Sequence, residues 1–312
     1  MSEDVTASND YVDLLEPPFN HPDADVIVRS ISSKVDFRVI RSFLSFASPV
    51  WQSMLLMPQA EGSKEMKDGL AIIPLEEDHD TLETLLRFCY PLGAGATMPP
   101  LQFAAEVFEA ARKYCLDGVE SAMMKQITEL YLHTQPLHLF AFATRFGMYD
   151  ERRIAARQTL CMPLLERSYI DELEWITAGS YIRLQEYHIR CGEVASNLAQ
   201  NLDWVTRDSY VWFECTECAR RDGATWVVTI SENRRKWVYS KWWQDFMTVM
   251  GRALRERPSP ATVKDQGLVD EALGKACAAC QVCRTRVFGE MREFCELLAE
   301  EVDETTKAIV LF

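Results

Sequence analysis

The chain has 312 residues, 48% of them hydrophobic and 26% charged, the proportions of an ordinary globular protein with room for about two cores. A net charge of −14 argues against a general nucleic-acid binder, which needs basic surface to displace phosphate counterions. No apolar run approaches the roughly 20 residues of a spanning helix, and the first residues lack the basic and apolar regions of a signal peptide. Ten cysteines occur without any Asn-x-Ser/Thr acceptor, a usage expected of reduced thiols or metal ligands in an intracellular protein, with nothing to separate cytoplasm from nucleus.

Residues 1–22 carry five acidic side chains and no Lys or Arg. So little apolar surface predicts an acidic, disordered tail, with ordered structure starting near residue 16. Val26, Ile27 and Val28 then read as strand, Ser32 and Ser33 as a turn, and Val35, Phe37 and Val39 as a second strand with Asp36 and Arg38 on its other face. The pair predicts a hairpin. Phe43, Leu44 and Ala47 follow at helical spacing, and Ser48-Pro49 predicts the N-cap and first residue of a second helix carrying Val50, Trp51, Met54 and Leu55. Residues 58–69, polar and with two glycines, predict a surface loop, and Ala71–Leu75 a third strand. Asp80 with Glu83 and Asp117 with Glu120 have capping-box spacing ahead of apolar helical stripes, and Pro91 should stop the first of these helices.

The ordered series Asp25-Val26, Phe37, Leu44, Ala47-Ser48-Pro49 and Trp51, then Ala71–Leu75, the run 82–91 ending in Tyr90-Pro91, and Val107–Leu116 resembles a BTB/POZ domain, particularly the versions common in mushroom-type fungi. The resemblance implies an α+β fold over residues 16–133, a small mixed sheet packed with helices, after a tail of residues 1–15. It also implies protein binding: homodimerisation through the first helix and its neighbours, with Leu15, Phe43 and Trp51 as partner-binding residues, and in some relatives recruitment of a cullin-type ubiquitin ligase as substrate adaptor. Ile40 stands where many animal members have a histidine, and residues 1–15 are poor material for the swapped strand of animal dimers.

From Pro136 strand signals nearly vanish, so residues 134–312 read as a mostly α-helical domain. Leu137, Phe140, Ala141 and Thr144 predict a helix ending at Gly147, and Asp150 caps the next, which Pro163 should end. The segment from Leu173 to Cys191 looks like the helical region that trails the BTB domain in fungal proteins, a BACK-like succession of helix pairs. Tryptophans at 204, 212, 226, 237, 242 and 243 and six of the ten cysteines mark the last third. Phe246, Met247, Met250 and Leu254 predict a helix running to Pro258. Phe288, Met291, Phe294, Cys295, Leu298, Val302 and Ile309 predict one long terminal helix, its stripe serving core packing or a partner groove.

The strongest chemical signal is Cys215-x-x-Cys218 with Cys280-x-x-Cys283, four thiolates of the kind a tetrahedral structural zinc requires. The long separation of the pairs leaves three readings open: a shared zinc, buried free thiols, or a redox pair at Cys215/Cys218. Cys277 makes an overlapping knuckle with Cys280; the spacing to the final helix favours Cys280 with Cys283. The resemblance supports zinc, because similar fungal proteins carry one such pair before the Trp-rich segment and one before the last helix. Gly93-Ala-Gly95 lacks the third glycine and the preceding strand of a dinucleotide loop, and Arg234-Arg235-Lys236 reads as a solvated turn. His188, among apolar helical positions, reads as a hydrogen-bonded structural residue. No nucleophile has a recognisable base, so the expectation is a non-enzymatic interaction module. The other functions considered are a transcriptional regulator, for which a basic finger is missing, and a thiol redox protein.

Overall fold

A computed structural model describes residues 11–14, 16–56, 65–90, 97–164, 169–207, 209–221, 227–229 and 236–311. The chain divides into two compact units, Met1–Tyr131 and Leu132–Phe312.

In the first unit a five-stranded mixed sheet has the order β1 (Val12–Leu14), β3 (Val35–Val39), β2 (Val26–Ser30), β5 (Leu70–Leu75) and β4 (Met66–Lys67). The hairpin reading holds: β2 and β3 are antiparallel, with Val28 opposite Phe37, and Lys34 takes the left-handed backbone of the turn (φ 57°). All five residues of β2 are buried, as its continuous apolar run requires of a central strand covered on both faces. Around the sheet lie α1 (Arg41–Ala47), α2 (Pro49–Leu56), α3 (His79–Cys89), α4 (Leu101–Lys113) and α5 (Asp117–Tyr131).

Ser48 is the expected cap of α2: its hydroxyl accepts from the Trp51 N–H at 3.0 Å and donates to the Tyr114 carbonyl at 2.5 Å. Three other caps differ from expectation in the same way. Asp78, not Asp80, caps α3 by accepting from the Thr81 N–H at 2.9 Å, and Asp80 lies in the first turn. Asp117 and Asp150 likewise fall inside the first turns of their helices, where the carboxylates face the positive end of the helix dipole.

The acidic-tail expectation fails for the described residues 11–14. Val12–Leu14 forms a strand pairing in parallel with Val35–Phe37, and Phe19 is fully buried with its ring edge-on to Phe37 at 5.2 Å. The reason is electrostatic as well as apolar. Asp13 accepts from Lys67 at 2.7 Å and Arg38 at 3.1 Å, so an acidic residue there joins the sheet instead of repelling it. The same network explains why Asp36 is buried. Arg29, directly across the ladder, grips both Asp36 oxygens at 2.6 and 2.9 Å, Lys67 adds a third contact at 2.8 Å, and Tyr11 lies over the Arg29 guanidinium at 3.8 Å. Burial opposes ionisation of Asp36, but the hydrogen bonds from Arg29 and Lys67 outweigh it and hold its carboxyl below the usual range.

Among its described residues the second unit is helical apart from a two-stranded antiparallel sheet, β6 (Val227–Thr229) with β7 (Lys236–Val238), in a segment where no strand was expected. Its helices are α6 (Pro136–Arg145), α7 (Tyr149–Thr159), α8 (Ala178–Asn197), α9 (Val211–Glu214), α10 (Thr216–Arg221), α11 (Lys241–Glu256), α12 (Pro260–Val263), α13 (Gln266–Ala279) and α14 (Gln281–Lys307), with a 3-10 turn at Asp171–Trp175. Gly147 has the left-handed φ of 66° expected after α6. The second helix of that pair ends at Thr159, four residues short of Pro163. His188 is buried with Nε2 3.1 Å from the Met162 carbonyl, and burial lowers its pKa, as suits a structural histidine.

Tyr210, Trp212, Trp242, Trp243, Phe246 and Phe294 of the last third lie in the core. Trp212 stacks on Tyr210 at 4.5 Å and on Trp243 at 6.0 Å, with Phe294 edge-on at 5.3 Å. The stripe of α14 thus serves the core, with two corrections: Val287 is buried where Phe288 was expected and Phe288 is 59% exposed, while Ile309 lies past the helix end. Close packing of α8 and α11 requires glycine, because a Cβ on Gly192 would collide with the Arg255 carbonyl oxygen. No helix among the described residues is long and apolar enough to cross a membrane.

Candidate metal centre and interaction face

Each cysteine pair is placed by one device, an extended residue followed at once by a helix. Cys215 closes α9 with ψ 98°, and α10 then carries Cys218 round by one turn. Cys280 is the single residue between α13 and α14, extended at φ −162°, ψ 167°, and Cys283 follows in the first turn of α14. The Cys283 N–H donates to Cys280 Sγ at 3.3 Å. Helix N-terminal amides favour the thiolate form, so the sulfur is placed where negative charge is tolerated.

The two knuckles meet. Cys280 Sγ is 3.4 Å from Cys215 Sγ and 3.6 Å from Cys218 Sγ, Cys218 Sγ is 3.6 Å from Cys283 Sγ, and all four sulfurs lie within 4.8 Å of one another. Tetrahedral Zn–S bonds of about 2.3 Å set neighbouring sulfurs about 3.8 Å apart. The spacing fits that edge and far exceeds the roughly 2.05 Å of a disulfide. Cys215, Cys218 and Cys283 are buried and Cys280 is half-buried, so the donor set is soft, closed and free of oxygen ligands. Without an ion these thiols resist ionisation unequally. Burial pushes Cys218 up to about 12 and raises Cys283 too, whereas at Cys280 the Cys283 N–H and neighbouring thiols outweigh burial and lower the pKa. Cys277, one turn earlier in α13, is outside the cluster.

The three residues expected to bind a partner fare differently. Leu15 lies outside the described residues. Phe43 is half-buried, its ring 4.9 Å from Tyr90, and Trp51 is 2% exposed in the core beside Tyr114 at 5.4 Å. Trp51 therefore cannot touch a partner. The exposed apolar residues of α1 and α2 are Phe46, at 91% exposure, Leu56 and Met54. Phe46 lies three residues after Phe43 in α1, a displacement the sequence pattern recorded without revealing which of the two rings faces in.

With sheet, helices and face described, the class is defined: residues 17–130 match the BTB/POZ domain family, so the chain carries a BTB/POZ domain, a protein-interaction module generally without catalytic activity and generally capable of self-association. No curated protein matches the chain.

Proposed function

We propose that this protein is a non-enzymatic interaction module, of fungal BTB type and intracellular, whose BTB unit self-associates through α1 and α2 and whose helical unit is held by a structural zinc. The observation that supports self-association is Phe46, a large apolar side chain almost wholly in water at the centre of two short helices with Met54 and Leu56 also exposed. Phe46→Asp is expected to turn the wild-type assembly into a smaller species by light scattering, with an unchanged far-ultraviolet circular dichroism spectrum. A wild-type chain that is monomeric at high concentration overturns the reading. A cullin-type ligase as partner, with this chain as substrate adaptor, is the finer form of the same proposal; it rests on the resemblance alone and is tested by co-purification.

The convergence of four sulfurs supports zinc bound by Cys215, Cys218, Cys280 and Cys283. Such an ion has all four positions filled by protein, so it leaves no open site for a substrate and acts on folding. A redox role needs an accessible pair that alternates with a disulfide, and sulfurs shared among four residues suit a metal better than two separate dithiols. Metal analysis of purified protein should give one zinc per chain, lost in Cys218→Ser.

A further inference from the structure

The two cysteine knuckles share more than their paired sulfurs. Arg221 follows Cys218 by three residues and Arg286 follows Cys283 by three, so the chain reads Cys-x-x-Cys-x-x-Arg twice. Residues three apart on a helix share a face. Each arginine therefore rises from the side of α10 or α14 that carries the second cysteine of its own pair.

Both arginines cross to the other knuckle. Arg286 donates to Oε2 of Glu214, the residue just before Cys215, at 3.0 Å, and to the Ser209 carbonyl at 2.8 Å. Arg221 donates to the carbonyl of Ala279, the residue just before Cys280. That carbonyl ends α13, where a cation suits the negative end of the helix dipole. Each knuckle thus holds the position in front of the other's first cysteine. Glu290 reinforces one side: it accepts from Arg286 Nε at 2.7 Å and from the Val211 N–H at 2.6 Å, so α9, which leads into Cys215, is tied to α14 at both of its ends.

These bonds differ in kind from the contacts among the sulfurs. Thiols are weak donors and weak acceptors, and four thiolates repel one another, so the cluster does little to assemble itself. A guanidinium bonded to a carboxylate or a carbonyl makes charge-assisted hydrogen bonds that need no ion, and its several donors reach more than one partner at once.

We infer that Arg221 and Arg286 are positioning residues for the sulfur cluster, a reciprocal clasp that sets the two knuckles face to face before an ion arrives. Its effect on metal affinity rests on the zinc reading given above; the positioning itself does not.

The experiment uses the full-length chain and two readouts. In the presence of chelator, the thiols are oxidised with diamide, which takes up two hydrogens as two thiols become one disulfide, and the bonds are mapped by mass spectrometry. Wild type should give Cys215–Cys280, the sulfurs 3.4 Å apart. The double variant Arg221→Met/Arg286→Met should give mainly Cys215–Cys218 and Cys280–Cys283, the pairs within each knuckle. Zinc affinity, measured by competition with a chromophoric chelator, should fall by about 10- to 100-fold in each single variant, the range for outer-shell partners of a metal site. Cobalt(II) bound in the same variants should keep the charge-transfer bands of four thiolates, which loss of a ligand would reduce. Arg286→Lys, which keeps the charge and has fewer donors, should lie between Arg286→Met and wild type, and the single variants decide the matter where the double variant does not fold. Arg157→Met removes an ion pair to Asp303, twenty residues beyond Cys283 on α14, and should change neither readout, whereas a general loss of stability would move both. Wild-type disulfides and wild-type affinity in the arginine variants overturn the clasp and leave the zinc reading standing. A wild-type chain that takes up no zinc, yet forms Cys215–Cys280 only when the arginines are present, overturns the zinc reading and leaves the clasp standing.

Discussion

In Met1–Tyr131 the deepest polar groups are charges that satisfy one another, whereas in Leu132–Phe312 they are sulfurs with one another for company. Arg29 and Asp36 are both essentially inaccessible, yet Lys67 and the Arg29 fork supply hydrogen bonds to both Asp36 oxygens. The four thiols have only weak S–H contacts and one backbone donor, and burial holds two of them protonated. One unit is therefore complete as a polypeptide, and the other holds four sulfurs so placed that they could bind a metal ion. The difference teaches that a buried polar cluster must be judged by what its members still lack.

Breaking the sulfur cluster should have the largest effect. Structural zinc contributes on the order of 10 kcal/mol to the folding of a small domain. Cys218→Ser, or a strong chelator, should abolish the near-ultraviolet dichroism of the stacked tryptophans while the BTB unit keeps its own unfolding transition. A variant with the wild-type spectrum would show that the aromatic core needs no metal. Arg29→Met is next, at about 3–5 kcal/mol in urea unfolding, because it leaves the buried Asp36 carboxylate with Lys67 alone; Arg29→Met with Asp36→Leu should recover most of that loss. Gly192→Ala should cost about 1–3 kcal/mol by forcing α8 away from α11, in the transition of the helical unit alone.

The smallest effect separates the units by pH. Burial opposes ionisation at Asp13 and Asp36, but their cationic partners prevail and lower both folded pKa values, so their contribution is fully present above the unfolded carboxylate value of about 3.9 and is lost as pH falls through the folded values. Lys67 has the opposite sign: its raised pKa gives stability present below its unfolded value and lost as pH rises through the folded one. The BTB unit should accordingly weaken at both extremes, at the acid end below about pH 4. A transition midpoint flat between pH 5 and pH 2 would mean that the network adds nothing.

Much of the fold was legible because local rules and tertiary packing agree. The hairpin, the Ser48-Pro49 start, Gly147 and the terminal helix each follow from patterns of a few residues. Trp51 was misread because helical spacing says that residues share a face, not whether that face meets a partner or the core. The strand at Val12–Leu14 was missed because its acidity was read as a property of a tail, and its partners, Arg38 and Lys67, lie 25 and 54 positions away. Arg29 in an apolar strand opposite Asp36 was the signal available, and it needed the hairpin register to be read. The cysteine knuckles were visible as motifs, but their meeting depends on the packing of α9 to α14, which no local spacing encodes.

Cys280 ends one helix, starts another and touches Cys218 from 62 positions away. That gives the chain an order of events during synthesis. The BTB strands and helices can pair as soon as they emerge, since their contacts close within one unit. The Trp-rich segment, by contrast, is made with half of the sulfur cluster, and Cys215 and Cys218 wait for their partners until residue 283 has left the ribosome. The closing entropy of so long a loop grows only as the logarithm of its length, so the wait is a matter of time more than of free energy. Newly made chains should therefore pass through a stage in which the interaction domain is folded and the half that carries the sulfur cluster is open to oxidants and to the cell's quality control.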